Sequence, residues 1–492
     1  MPSAETLATR TRTLARWGGP LAGLAVALLA PDTLSPEARR ALGAATWMVT
    51  WWITECVPIL VTSLLPVALF PILGIATAAE ATAPFANQLV FLFLAGFLLA
   101  TGLEQWGCHV RIAYRLLALV GLTGRRAVLA VMLATGLLSM WISNTATAAM
   151  MYPIALAIAA LFPADEAGQE IRAALMLGVA YAASIGGMGT VIGSPPNLVV
   201  AGALEELAGT RVSFMQFMGL GLPLVVLLLP LCWVILVLVC FRRPTRLGEG
   251  GEALVRERLA ALGPVRGGER RMFLVFGATA LAWMLREPKH LGGITLPGLT
   301  QLLPQLSDAA VGVAAALVLF LLPGRTREGE VRPLLRWAEA RQIPWDVLYF
   351  FGGGLSLAAV LERHGVTTWL GQGLQGLQGM PGWVIYLALA AMVVFLSELA
   401  SNLAVATMIM PIAAALGRSL GQPPALLMLV AGFAASVGFA LPIATPPNTI
   451  VFGSGAVSVR QMVKAGLLLD LVAIVVVGLV MALLAPRILG IG

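Results

Sequence analysis

Long apolar stretches recur along the chain from Leu21 to Leu484, separated by short polar connections. Stretches of this kind read as membrane helices, because ~20 apolar residues at 1.5 Å rise cross a hydrocarbon core of ~30 Å. The pattern predicts spans near 20–31, 42–55, 57–75, 88–106, 173–206, 216–241, 272–287, 308–323, 345–362, 424–455 and 464–485. Two further stretches, 127–160 and 383–417, are too long for one ordinary helix, and each carries a polar break midway. Half-helices of ~12–15 residues reach only part way across the core, so both are expected to be re-entrant hairpins. The expected fold class is an all-α polytopic membrane protein with eleven spans and two hairpins.

The polar breaks are organised in pairs. Ser143-Asn144-Thr145 lies in the first hairpin, and Gly193-Ser194-Pro195-Pro196-Asn197 interrupts the apolar stretch 173–206. Ser401-Asn402-Leu403 lies in the second hairpin, and Ala444-Thr445-Pro446-Pro447-Asn448 interrupts 424–455. Each proline removes an N–H and restricts the residue before it, so both stretches must unwind. Irregular backbone at membrane depth is tolerated only where it is buried in protein or lines a cavity. A single S-N-T would suit ordinary satisfaction of neighbouring helices. Its recurrence beside a second recurring motif favours a binding site.

The recurrence is a repeat. Gly96, Glu104 and Gly107 match Gly354, Glu362 and Gly365 at an offset of 258, as do Ser139 and Ser397, Asn144 and Asn402, and Pro153 and Pro411. The proline motifs match at 251. Matched segments lie five spans apart, so the copies run in opposite directions, the arrangement that places substrate and ion sites near the midplane of transporters. Residues 1–41 then hold the N-terminal segment and first helix, 42–241 the first repeat, 242–271 a linker and 272–492 the second repeat. Arginines Arg10, Arg12 and Arg16, Arg111 to Arg126, Arg242 to Arg271, and Arg325 to Arg341 form four clusters that the eleven-span layout puts on one side. By the positive-inside rule that side is the cytoplasm, with the N-terminus inside and the C-terminus external.

Composition excludes other classes. Of 492 residues 59% are hydrophobic and 11% charged, which is membrane composition, and the net charge of +7 reads as orientation rather than nucleic-acid binding. The four cysteines form no C-x-x-C pair, and no enzyme motif such as H-E-x-x-H or G-x-S-x-G occurs, so no catalytic residue is expected. A channel filter is less apt, because each half supplies one break from an inverted repeat rather than a ring about an axis. Among intramembrane acids, Glu104 and Glu362 suit pairing at span ends, and Glu398 a structural ion pair. Trp51, Trp52, Trp106 and Trp383 read as interfacial anchors.

The segments WWITECVPILVTSLLP (51–66) and FLFLAGFLLATGLEQWG (91–107), both S-N tips and both P-P-N breaks resemble the divalent anion/sodium symporter family, in order, from about Trp51 onward. The resemblance implies a homodimer in the cell inner or plasma membrane, a transport domain moving as an elevator, and Na+ as coupling ion with no organic cofactor. It implies one sodium site at Ser139, Ser143, Asn144 and the Gly193 carbonyl, and a second at Ser397, Ser401, Asn402 and the Ala444 carbonyl. Substrate would meet Ser143, Asn144 and Thr145 on one side and Ser401, Asn402, Leu403, Thr445 and Pro446 on the other. Thr is usual where Leu403 stands, so substrate identity is open at that position. The reading is sodium-coupled symport of small dianions, C4-dicarboxylates such as succinate, malate and fumarate first. The alternatives are anion exchange on the same fold, with dicarboxylate or citrate, or transport of sulfate. None of the eight sodium-ligand positions is Lys, Arg or His, which favours symport.

Overall fold

The computed structural model describes residues 4–122, 124–243, 251–265, 267–291 and 294–491. Arg246 and Arg266 of the linker lie outside them, as do the side chains of Arg10 and Arg12. The described chain is helical apart from two short antiparallel hairpins, which pair Lys289–Leu291 with Ile294–Leu296 and Pro323–Arg325 with Val331–Pro333.

The two halves repeat element by element. Helix Gln88–Gln105 turns at Gly107 into helix Cys108–Val120, and helix Trp345–Arg363 turns at Gly365 into Val366–Gly373. Both glycines are left-handed, with φ of 66° and 73°, a conformation that a side chain would strain. This explains why glycine recurs at that point of the repeat. The two helices that follow the turns were not expected from the apolar pattern, because one is amphipathic and the other spans only 8 residues.

Next come the hairpins. Arg125–Ser139 and Asn144–Ala159 form the first, and Gly382–Leu399 and Asn402–Ser419 the second. Each breaks where the polar motif predicts. The arms of the second are 18 residues each, longer than expected and long enough at ~1.5 Å per residue to cross nearly the whole core. Among the described residues six helical segments have the length and composition to cross a membrane, and both of these arms are among them.

The proline-broken elements follow. Glu166–Gly187 unwinds before Pro195–Ala208, and Pro424–Ala434 unwinds before Pro446–Phe452. In both, the first proline is the first helical residue, where its missing N–H costs nothing. The breaks differ in length, since the first-half helix runs on to Gly187 while its counterpart stops at Ala434.

Close backbone approach holds the first half together. A Cβ on Gly186 would fall 2.2 Å from the Gly136 carbonyl oxygen, so helices Glu166–Gly187 and Arg125–Ser139 touch main chain to main chain. The halves also interlock. Helix Pro446–Phe452 packs on Asn144–Ala159, and Pro195–Ala208 packs on Asn402–Ser419. Three details correct the sequence reading. The linker ends earlier than 271, because helix Gly267–Leu285 has already begun. Trp52 is buried with its ring centroid 4.8 Å from that of Phe350, so it is a core residue and not an interfacial anchor. Span 57–75 is two short helices, Ile59–Ser63 and Leu65–Ile72.

Candidate functional site

All four polar motifs sit at helix N-termini. Asn144, Asn402, Pro195 and Pro446 are each the first residue of a helix, with Ser143, Ser401, Ser194 and Thr445 as the residues before. An N-terminus offers unpaired N–H groups and the positive end of the helix dipole, which suits an anion. Ser143 Oγ accepts from Ala146 N at 3.3 Å, and Thr145 is exposed next to it. Thr445 Oγ1 accepts from Asn448 N at 3.3 Å, and Pro446 is exposed. Beside the first tip opens a crevice of about 470 Å³ lined by Glu104, His109, Ile142, Ala146 and Met150.

Helix C-termini meet at the same places, and they supply oxygens. The carbonyls of Ser139, Met140 and Gly187 converge on Gly193. A Cβ built there would lie 3.1, 3.1 and 2.6 Å from them. Ser139 Oγ lies 2.7 Å from the Ala183 carbonyl and 2.8 Å from Asn144 Oδ1. One hydroxyl hydrogen serves only one of these acceptors at a time, which leaves oxygen capacity over. Asn144 Oδ1 packs directly over Gly187, where a Cβ would come within 2.1 Å. This arrangement of carbonyl, hydroxyl and amide oxygens fits a hard cation.

The second half offers a looser version. Ser397 Oγ donates to the Ala435 carbonyl at 3.2 Å. A Cβ on Gly438 would lie 3.4 Å from the Ser397 carbonyl and 3.6 Å from Asn402 Oδ1. The Oδ1 atoms of Asn402 and Asn448 are buried without a hydrogen-bond partner. Orphaned buried acceptors are costly. A cation would satisfy the one on Asn402. Leu403 is half-buried, and its carbonyl accepts from Thr407 Oγ1 at 3.0 Å, so its side chain brings no donor to the tip.

The asparagines of the proline motifs do a different job. Asn197 Nδ2 donates to the carbonyls of Gly187 and Thr190, at 2.7 and 2.8 Å. Asn448 Nδ2 donates to those of Gly438 and Leu441, at 3.2 and 2.9 Å. They are staples across the unwound turns. The backbone repeats too, with Gly193 N donating to Thr190 and Ala444 N to Leu441, both at 3.2 Å.

Several residues around the site were not legible as such. Thr190 Oγ1 donates to the Met140 carbonyl, tying the first break to the first hairpin. Met140 itself entered only through its carbonyl, which no side-chain pattern signals. Glu398 forms no ion pair among the described residues, against expectation. Its carboxylate accepts from Ala440 N and Leu441 N at 2.8 and 2.7 Å and so clamps the second break. Asp470, on helix Val459–Leu489, accepts from Phe439 N at 3.3 Å and leaves its Oδ2 buried and unpartnered. Glu362 does pair as expected, with Arg418 at 2.7 and 2.9 Å, whereas its repeat mate Glu104 forms no ion pair among the described residues.

Repeated, interlocked halves with helix N-termini and carbonyl ends meeting at two breaks define a membrane-embedded secondary transporter rather than an enzyme. The family described as "Sodium:sulfate symporter transmembrane region" matches residues 20–490. The chain therefore belongs to the divalent anion/sodium symporter family. It is 38% identical over 477 residues to the sodium-dependent dicarboxylate transporter SdcS of Staphylococcus saprophyticus, covering 95% of this chain and 90% of that one. It is 37% identical over 468 residues to the protein of the same name from Staphylococcus aureus, covering 94% and 88%. Among solved structures, that of the Alcanivorax borkumensis YdaH transporter matches at 14% identity and a TM-score of 0.48, covering 82% of this chain and 86% of that one.

Proposed function

We propose that the protein is a sodium-coupled symporter of C4-dicarboxylates that works by elevator-type alternating access as a homodimer. The observation that carries this reading is the pairing of opposite helix ends at each break. The carbonyls of Ser139, Met140 and Gly187 gather around Gly193, and N-termini at Asn144 and Pro446 lie on elements packed together. Sodium held by Ser139, Ser143, Asn144 and the first break, and by Ser397, Ser401, Asn402 and the second, would offset the charge of a dianion. The dianion would take N–H and O–H donors from Ser143, Asn144, Thr145, Ser401, Asn402 and Thr445. The names of the relatives at 38% and 37% identity, sodium-dependent dicarboxylate transporters, support both ion and substrate class. An N-terminus in the cytoplasm and an external C-terminus follow from the arginine clusters.

The test is uptake of labelled succinate into proteoliposomes with and without an inward sodium gradient, with malate, citrate, aspartate and sulfate as competitors. Sodium-driven uptake that is lost in Asn144→Ala and Asn402→Ala supports the reading. Uptake that ignores sodium but needs an internal anion assigns the chain to exchange instead.

A further inference from the structure

A second cavity adjoins the crevice beside the first tip, and Gln105 lines both. It has a volume of about 820 Å³ and sits where helix Gln88–Gln105 ends, between helix Cys108–Val120, helix Gly251–Leu262 and the strand hairpin at 323–333. Arg325, Thr326, Arg327 and Arg332 line one wall, and Trp106, Val110, Leu262 and Pro264 form an apolar floor. The arginine distribution assigns this face to the cytoplasm.

The positive-inside rule alone accounts for arginines on such a face, but not for their arrangement around a cavity. Arg332 is fixed. Its guanidinium stacks 4.8 Å above the Trp106 ring and bonds Glu339 at 2.7 Å. The ring is itself clamped, since Nε1 donates to the Leu334 carbonyl at 2.7 Å and Gly268 and Gly324 leave room for it where a Cβ would clash. Glu269 in the wall is cancelled by buried Arg111, which grips it at 2.5 and 2.9 Å. Arg325 and Arg327 form no ion pair among the described residues, so two free cations face the single free carboxylate of Glu328. The Thr326 hydroxyl is buried and has no hydrogen-bond partner. Two arginine forks and a waiting hydroxyl form a donor set for tetrahedral oxyanions. The cavity exceeds what an inorganic ion fills, and its floor is aromatic and apolar.

We propose that this cavity binds a phosphate ester carried on a larger body, with Arg325, Arg327 and Thr326 on the phosphate and Trp106 and Leu262 under the body. The same chemistry comes from a soluble organic phosphate or from a phospholipid headgroup. Its occupant would join the strand hairpin to helix Cys108–Val120, which leads into the first transport hairpin.

The experiment is thermal unfolding of the full-length protein in detergent at fixed pH and ionic strength. Probes are adenosine 5′-diphosphate, phosphatidylglycerol in mixed micelles, and inorganic phosphate. The expected result is a saturable rise in unfolding temperature with one of the first two and a smaller one with inorganic phosphate. In the Arg325→Gln/Arg327→Gln double variant, whose changes fall on exposed side chains, the half-saturating concentration should rise roughly tenfold or more. A response to the nucleotide names a soluble ligand, and a response to the lipid alone names a headgroup. No saturable shift with either, or equal shifts in the double variant, overturns the proposal.

Discussion

Asn448 repeats in the second half, 251 residues on, the bonding of Asn197 in the first, each amide donating twice across an unwound turn. Both are fully buried, so each staple is dry. Replacing either with Ala leaves two carbonyls without a donor, at a cost of about 1–3 kcal/mol. Asn197→Ala and Asn448→Ala are therefore expected to lower the unfolding temperature and to abolish sodium-driven uptake while still inserting in the membrane. Normal uptake by either variant would show that the turn holds without its staple.

Gly193 and Gly438 should respond differently to one added methyl group. At Gly193 the methyl would enter the cradle of three carbonyls, at 2.6–3.1 Å, and at Gly438 its nearest neighbour is at 3.4 Å. Gly193→Ala is expected to remove the stabilisation that sodium gives to thermal unfolding, and Gly438→Ala to keep most of it. Equal sodium stabilisation in both variants would place the first cation elsewhere.

Leu403 makes the two tips unequal, because Thr145 in the first has a hydroxyl to donate. One hydrogen bond is worth about 1 kcal/mol, or roughly fivefold in affinity. Leu403→Thr is expected to tighten half-saturation for succinate several-fold, and Thr145→Val to weaken it. Competition curves against labelled succinate measure both. A tighter preference for another anion in Leu403→Thr would mean that Leu403 had been excluding it.

Arg418 links Glu362 to the Leu207 carbonyl, and Thr367 Oγ1 also donates to Glu362. At the repeat-related position stands Ala160, so the other half lacks this link. If the hairpins move against helix Trp345–Arg363, the link must break in each cycle. Arg418→Ala is then expected to change the maximal uptake rate while leaving sodium half-saturation within about twofold, since the pair is partly exposed and contributes little to stability. A changed sodium response with an unchanged rate would contradict this.

Glu398 receives two backbone N–H groups, and a glutamine there has only one acceptor oxygen to offer. Glu398→Gln would set an amide N–H₂ against a backbone N–H, at about 1–3 kcal/mol. It is expected to weaken sodium dependence at the second site and lower the unfolding temperature, with Glu398→Ala worse. Unchanged sodium half-saturation in both would reduce Glu398 to a bystander.

The sequence alone determined the membrane class, the internal repeat and the four motif positions. It did so because apolar length, helix-breaking proline and left-handed glycine are local properties that the bilayer and the backbone enforce. Gly107 and Gly365 could be matched by spacing before their φ angles explained them. The tertiary structure decided what surrounds the motifs. The Met140 carbonyl and the Asp470 carboxylate reach the breaks from elements distant in sequence, and the unwound turn itself turns the Gly187 carbonyl and the Thr190 hydroxyl toward the first hairpin. Main-chain oxygens carry no residue signature, and Glu398 found backbone N–H groups where a cation was expected. The burial of Trp52 likewise depends on which neighbours cover its surface, and no apolar pattern along a chain records that.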